Sequence, residues 1–207
     1  QNEKSSGYFH KYSKNKLSKG SNLTSFIFPS GLKFNKLDLE FNLEGEQIEC
    51  TLQSASFLDN SEHQEIKTRV NHFFPNCKSY QKVKNVLNSQ SKGVYQGKIF
   101  VKDVAQKTDA YQLSKAILLS ERSEFDSKPE LEIYADDVKC SHGSTSGNLD
   151  QDSIHYLMTR GLSKKESTKM LVNGFLNEIA DLIKSNSIRN FIKNKLNEQL
   201  LNEYKKH

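Results

Sequence analysis

The sequence predicts a mainly β chain built as a parallel β-helix, a solenoid of stacked coils, followed by a small α-helical domain. Three observations carry this prediction. From residue 26 to about 147, apolar and polar residues alternate with period two. The last four strand-like runs there begin about 15 to 18 residues apart, with no helix-length apolar pattern between them. After Gly147 the period changes to 3.6.

Taken in order, residues 1–22 are rich in Lys, Ser, Asn and Gly, and carry Tyr8, Phe9 and Tyr12 without a sustained period; they are expected to be a loose lead-in. The β-helix is expected over residues 23–148. Leu37, Leu39, Phe41 and Leu43 alternate with Lys36, Asp38, Glu40 and Asn42, and Ile48, Cys50 and Leu52 repeat the pattern. Short runs follow at 65–70, 82–87, 98–101, 115–119 and 130–135. Strands so spaced can pair as hairpins in a sandwich or stack as coils. Hairpins favour Asn-Gly or Asp-Gly turns, and neither occurs between residues 26 and 147. The connections are instead of the type Ser91-Lys92-Gly93 and Asp103-Val104-Ala105-Gln106, which favours the solenoid. No single coil buries its inner face alone, so neighbouring coils supply the core.

Residues 149–207 form the helical domain. A short helix over 152–159 stops at Gly161, and Ser163 with Glu166 makes a capping box for a second helix. The second helix is expected to bury Leu171, Phe175, Ile179 and Leu182. A third begins near Ser187 and repeats the pattern with Ile188, Phe191, Ile192, Leu196 and Leu200, opposite Arg189, Lys193, Lys195 and Glu198. Part of this apolar surface is expected to be reserved for another protein.

Composition excludes several classes. At 207 residues with 35% hydrophobic and 10% aromatic residues, the chain can build one core but not a large multidomain enzyme. No apolar run approaches the roughly 20 residues that cross a bilayer, and the first 25 residues lack the apolar stretch of a signal peptide, so a cytoplasmic location, or an organelle interior if a targeting segment was removed, without membrane contact is expected. The chain starts at Gln1, not Met, and is expected to be a piece of a longer protein. The net charge of +5 divides into two basic ends around a mildly acidic middle, and only Arg69, Arg122, Arg160 and Arg189 are Arg; nucleic acid is not the expected partner. Neither a phosphate-binding loop nor a dinucleotide fingerprint is present. Cys50, Cys77 and Cys140 are too few and too scattered for a disulfide framework or a zinc knuckle.

The segment 131–145 concentrates the chemistry. Leu131, Ile133 and Ala135 put the apolar face on odd positions, whereas Val138 and Cys140 put it on even ones, so a bulge or corner is expected at Asp136-Asp137. Beyond it, Cys140 and His142 share one strand face, and a thiolate with an imidazole is a metal-competent pair. Two ligands do not close a site, so any metal or cluster needs further ligands from a partner. The alternative is a core cysteine beside a turn histidine. The Asp136-Asp137 pair, which could suggest calcium or a polysaccharide lyase, is expected to be a solvated corner. Ser144 and Ser146 near His142 lack the acid a hydrolase triad needs, and Asn22-Leu23-Thr24 is a chance glycosylation match.

The runs 105–112 (Ala-Gln-Lys-Thr-Asp-Ala-Tyr-Gln), Leu118-Leu119-Ser120 and 128–143 (Lys-Pro-Glu-Leu-Glu-Ile-Tyr-Ala-Asp-Asp-Val-Lys-Cys-Ser-His-Gly), with Arg160-Gly161-Leu162 and the helix holding Asn173-Gly174-Phe175, resemble the SufD branch of the SufB/SufD family of the Suf iron-sulfur cluster assembly machinery. The resemblance spans residues 91–183 and extends over 37–90. It implies a right-handed parallel β-helix with a C-terminal helical domain and a scaffold subunit that is not an enzyme. It further implies pairing with SufB through the β-helices and binding of the SufC ATPase through the helices, with Leu171, Phe175 and Ile179 as docking residues. Cys140 and His142 fall on the family's Cys-Ser-His-Gly motif and are implied to handle iron or a nascent cluster at the SufB interface, a transient cargo that this chain alone does not hold stably. The family's usual Gly-Ala-Thr is Gly143-Ser144-Thr145 here. A SufB-like paralogue, an adaptor without ligands and a homodimer of the solitary chain remain open.

Overall fold

The computed structural model describes residues 5–29 and 31–204. Ten strands precede three helices: β1 (Ser5–Leu17), β2 (Asn22–Ile27), β3 (Leu32–Leu43), β4 (Glu49–Leu58), β5 (His63–His72), β6 (Lys78–Leu87), β7 (Lys92–Val101), β8 (Asp109–Leu118), β9 (Glu124–Ile133), β10 (Lys139–Gly147), α1 (Gln151–Thr159), α2 (Lys164–Ala180) and α3 (Asn186–Tyr204). Successive strands alternate between two parallel sheets, ordered β1-β3-β5-β7-β9 and β10-β8-β6-β4-β2. The chain is therefore a parallel β-solenoid of five coils. Each coil contributes one strand to each sheet, which is why strand signals recur at half the coil repeat. Asn22 pairs with Glu49 one coil on, and Lys92 with Glu124.

The corners replace hairpin turns. Gln47, Asn60, Asn76, Ser89 and Lys107 all adopt positive φ between consecutive strands. A single left-handed residue redirects the chain without the paired left-handed residues of a tight hairpin. Inward side chains from both sheets, among them Leu37, Phe41, Leu52, Ile66, Val70, Val83 and Tyr95, form the central core.

Two expectations change. Residues 5–17 of the expected loose lead-in form β1, which pairs with β3 in unbroken register from Tyr8 to Leu17. Strand order there comes from the backbone ladder and from cross-strand pairs such as His10–Asp38 at 2.7 Å and Lys14–Glu40 at 3.1 Å. Tyr8 and Tyr12 lie exposed on the outer coil, so no core imposes an alternating pattern. Residues 1–4 of that expectation lie outside the described residues.

The second change concerns the helices. α2 buries Val172, Leu176, Ile179 and Ala180 and α3 buries Leu196 and Leu200, all against Ala55, Phe57 and Val86 on the outer face of β4 and β6. The buried stripe of α2 is thus turned about one residue from the expected 171/175/179/182 line, and Leu182 is 48% exposed. Ile188 and Phe191, expected to be buried, are 55% and 59% exposed. The Asp150 cap of α1 and the Ser163–Glu166 capping box of α2 set where the helices start.

Candidate functional site

β10 is the last strand of its sheet and has a neighbour, β8, on one side only. The chain reaches it through the corner that the parity switch predicts. β9 ends at Ile133, Ala135 turns into the core, and Asp136 and Asp137 lie exposed in the bend. Their backbone is tied to the preceding coil by Asp137 N–H donating to Gln106 Oε1 at 2.9 Å and by Lys107 N–H donating to the Asp137 carbonyl. The acidic pair is a solvated corner, and among the described residues no three His, Cys, Asp or Glu side chains cluster as a metal site.

In β10, Cys140 pairs with Ala110, His142 with Gln112 and Ser144 with Ser114. Ala110, Gln112 and Ser114 are all inward and buried, so Cys140, His142 and Ser144 occupy the inward face of the last coil. The Ser114 hydroxyl donates to Ser144 Oγ at 3.0 Å and lies 2.7 Å from Ser127 Oγ across the interior. Cys140 is half-buried against Ile99, Val101, Ala105, Ala110 and Ala135, whereas His142 is exposed where the coil stack stops.

Burial sorts the three cysteines. The Cys50 thiol, sealed in the core, is pushed up to about 12, and Cys77, whose thiol donates to the Gly45 carbonyl at 3.1 Å, is also raised. Partial burial raises Cys140 as well, opposed by a hydrogen bond with the Ala110 backbone. Cys140 is thus a protonated thiol at neutral pH, and ligation there requires loss of its proton. It is also the cysteine that reaches the open end.

The helical residues expected to dock an ATPase divide differently. Ile179 is fully buried in the chain's own core and cannot contact a partner in this fold. Phe175 is half-buried, its ring 4.3 Å from the Lys84 ammonium, and Leu171 flanks a groove between α1 and α2 with Tyr156, Leu157 and Met170. Among the described residues, the large apolar side chains exposed in the helical region are Tyr156 and Met158 on α1, Met170 on α2, Leu182 in the turn that follows it, and Ile188 and Phe191 on α3. Sequence periodicity could not find them, because it reports the spacing of a stripe and not which way the stripe faces. The buried polar residues behind His142 were also missed, since only the register between coils aligns them.

Residues 1–175 match the family described as SUF system FeS cluster assembly, SufBD core domain. The chain is 31% identical to the iron-sulfur cluster assembly protein SufD of Escherichia coli K12 over 158 residues, 76% of this chain and 37% of the relative. It is 31% identical to a SufBD family iron-sulfur cluster assembly protein of Synechocystis over 153 residues, 74% of this chain and 34% of that one. It is also 35% identical to the chloroplastic protein ABCI7 of Arabidopsis thaliana over 109 residues, 53% of this chain and 23% of that one. The chain spans about a third of the first two relatives' length or less of the third. A five-coil parallel solenoid that ends in a Cys-Ser-His-Gly strand and continues into helices belongs to the SufBD core-domain family of SUF iron-sulfur cluster assembly proteins.

Proposed function

We propose that the chain is a non-enzymatic scaffold subunit that pairs with a SufB-type β-helix and lends His142, with Cys140, to iron or a nascent cluster carried between the two. The observation that supports this most is the open β10 edge. It presents an imidazole and a thiol on one inward face at the end of the coil stack, and among the described residues no third His, Cys, Asp or Glu completes a metal-ligand group. A four-coordinate iron or cluster site needs more donors, and a second β-helix set against that edge is where they would come from. The cluster is cargo and leaves with the product.

Reconstituting SufB, SufC and this chain with His142→Ala should lower the cluster assembled at least tenfold relative to the unmodified chain, read by iron and sulfide content and by the visible absorption of the cluster. An unchanged yield would remove the direct role of His142. The half-buried packing of Cys140 favours a second reading, an adaptor in which both residues are structural. In that case Cys140→Ala combined with His142→Ala still gives a normal yield.

An ATPase of the SufC type is proposed to bind the helical domain through its outward apolar residues. Phe191→Asp should weaken capture of SufC in pull-down about tenfold or more while leaving the melting temperature within a degree or two, because Phe191 is exposed and removed from the buried stripe. Capture equal to that of the unmodified chain places the ATPase elsewhere.

A further inference from the structure

Three hydroxyls meet beside His142 at the open end of the solenoid. Ser127 lies inward on β9, in register with the buried Tyr95, while Ser114 and Ser144 lie inward on β8 and β10, in register with each other. The Ser114 and Ser127 oxygens are 2.7 Å apart, and the Ser114 hydroxyl donates to Ser144 Oγ at 3.0 Å. Together they cross the interior from one sheet to the other.

Counting protons fixes the direction of this chain. A hydroxyl carries one hydrogen. Ser114 gives its own to Ser144, so the short contact with Ser127 is a bond that Ser127 donates. The order is Ser127 to Ser114 to Ser144, and each bond polarises the next. Ser144 ends the chain as an acceptor, and its own hydrogen meets no acceptor among the described residues. The buried Ser114 occupies one side of Ser144, and β10 has no neighbouring strand on the other. The free hydrogen is therefore delivered to the open end. His142 stands two residues away on the same strand face, about 6.6 Å along the strand. Cys140 is about 13 Å from Ser144 along the strand, beyond the reach of a hydroxyl.

We propose that Ser144 is a cargo-binding residue, its hydroxyl donating to an inorganic sulfide on the iron that His142 ligates. The assignment rests on the proposed role of His142 and adds the group that holds the sulfur beside it. Water at the open end competes for the same hydrogen, but a hydrogen bond to an anion is roughly twice as strong as one between neutral groups. A hydrogen bond to sulfur favours the reduced, more negatively charged state and so raises the reduction potential of a cluster. Partners that surround a metal site in this way typically change its affinity by about 10–100-fold.

The test is made in the complex reconstituted with SufB and SufC. Ser144→Ala removes the hydroxyl, and because Ser144 is exposed on an edge strand the melting temperature should stay within a degree or two. The loaded cluster should then have a lower midpoint potential and be lost to an iron chelator about tenfold faster. Ser144→Thr keeps a hydroxyl at the same position and should restore both values. An Ala variant with the potential and loss rate of the unmodified complex would overturn the proposal and leave the Ser144 hydrogen bonded to water only. Equal changes in the Ala and Thr variants would assign the effect to packing and overturn it as well. The two failures are distinguishable. Normal cluster yield in His142→Ala refutes the function whatever Ser144 does, whereas a lowered yield in His142→Ala with an unchanged potential in Ser144→Ala refutes only the sulfide donor.

Discussion

Glu178→Gln is expected to loosen the helical domain from the solenoid by about 2 kcal/mol while the strands stay folded. The reason lies in Lys84, whose side chain is 3% exposed beneath α2. Its ammonium donates to the Phe175 carbonyl at 3.0 Å, faces the Phe175 ring at 4.3 Å and pairs with Glu178, which Lys82 also contacts. Burial lowers the Lys84 pKa, opposed by Glu178, while hydrogen bonds from Lys82 and Lys84 bring Glu178 down to about 2. Replacing the carboxylate with an amide leaves a buried cation with only neutral partners, the amide oxygen, the Phe175 carbonyl and the Phe175 ring, and the least costly relief is for α2 to lift. Hydrogen exchange should then show lost protection along α2 and α3 with β5 to β8 unchanged. Lys84→Met removes the charge and keeps an apolar stem against Phe175, so it should dock as tightly as the unmodified chain, and adding Glu178→Gln to it should have no further effect. Equal protection in Glu178→Gln and the unmodified chain would show that the apolar contacts of Val172, Leu176 and Ile179 suffice alone.

The same pair explains what could and could not be read beforehand. The solenoid strands were legible because a parallel coil buries one face of each strand, so Ile66, Thr68 and Val70 or Tyr95, Gly97 and Ile99 alternate with solvated neighbours. The corner at Asp136-Asp137 was legible for the same reason, since the chain changes sheet there and parity must switch. The face of α2 was not. Its docking surface is the outer side of β4 and β6, where Ala55, Phe57, Lys84 and Val86 sit at positions that alternation alone assigns to solvent. In the site, Cys140 and His142 stood out by motif and spacing, but the residues behind them did not. Gln112 precedes His142 by 30 positions and meets it only through the register of β8 with β10, a relation set by the length of the intervening corners. β1 was invisible for the opposite reason: at an end coil, backbone pairing makes a strand without demanding a pattern.

His72 should make the solenoid acid-sensitive in a window where its carboxylates are still ionised. It sits inward on β5 between Leu43 and Val101 in the register, with no exposed surface. One ring nitrogen, Nε2, lies 2.9 Å from the Ser79 hydroxyl, while Nδ1 has no partner. Burial disfavours the charged ring and lowers its pKa from 6.5 to about 4. The unfolded chain therefore binds this proton first. Stability is complete above pH 6.5, declines as pH falls toward about 4, and levels off once the folded ring is also protonated. At pH 5 the loss from this one group is about 2 kcal/mol. Glu178 does not contribute there, because a carboxylate depressed from 4.5 to about 2 loses its stabilisation only as pH falls through that lower range. Urea denaturation at pH 7 and pH 5 should show the difference, and His72→Met should reduce it by about 2 kcal/mol, even though that variant strands the Ser79 hydroxyl and lowers stability at both pH values by about 1 kcal/mol. A variant whose stability falls as steeply between pH 7 and 5 as that of the unmodified chain would assign the acid sensitivity to other groups. A loss confined to β5 and β6 in hydrogen exchange at pH 5 would place it at the His72–Ser79 corner, two coils below the strand that carries His142.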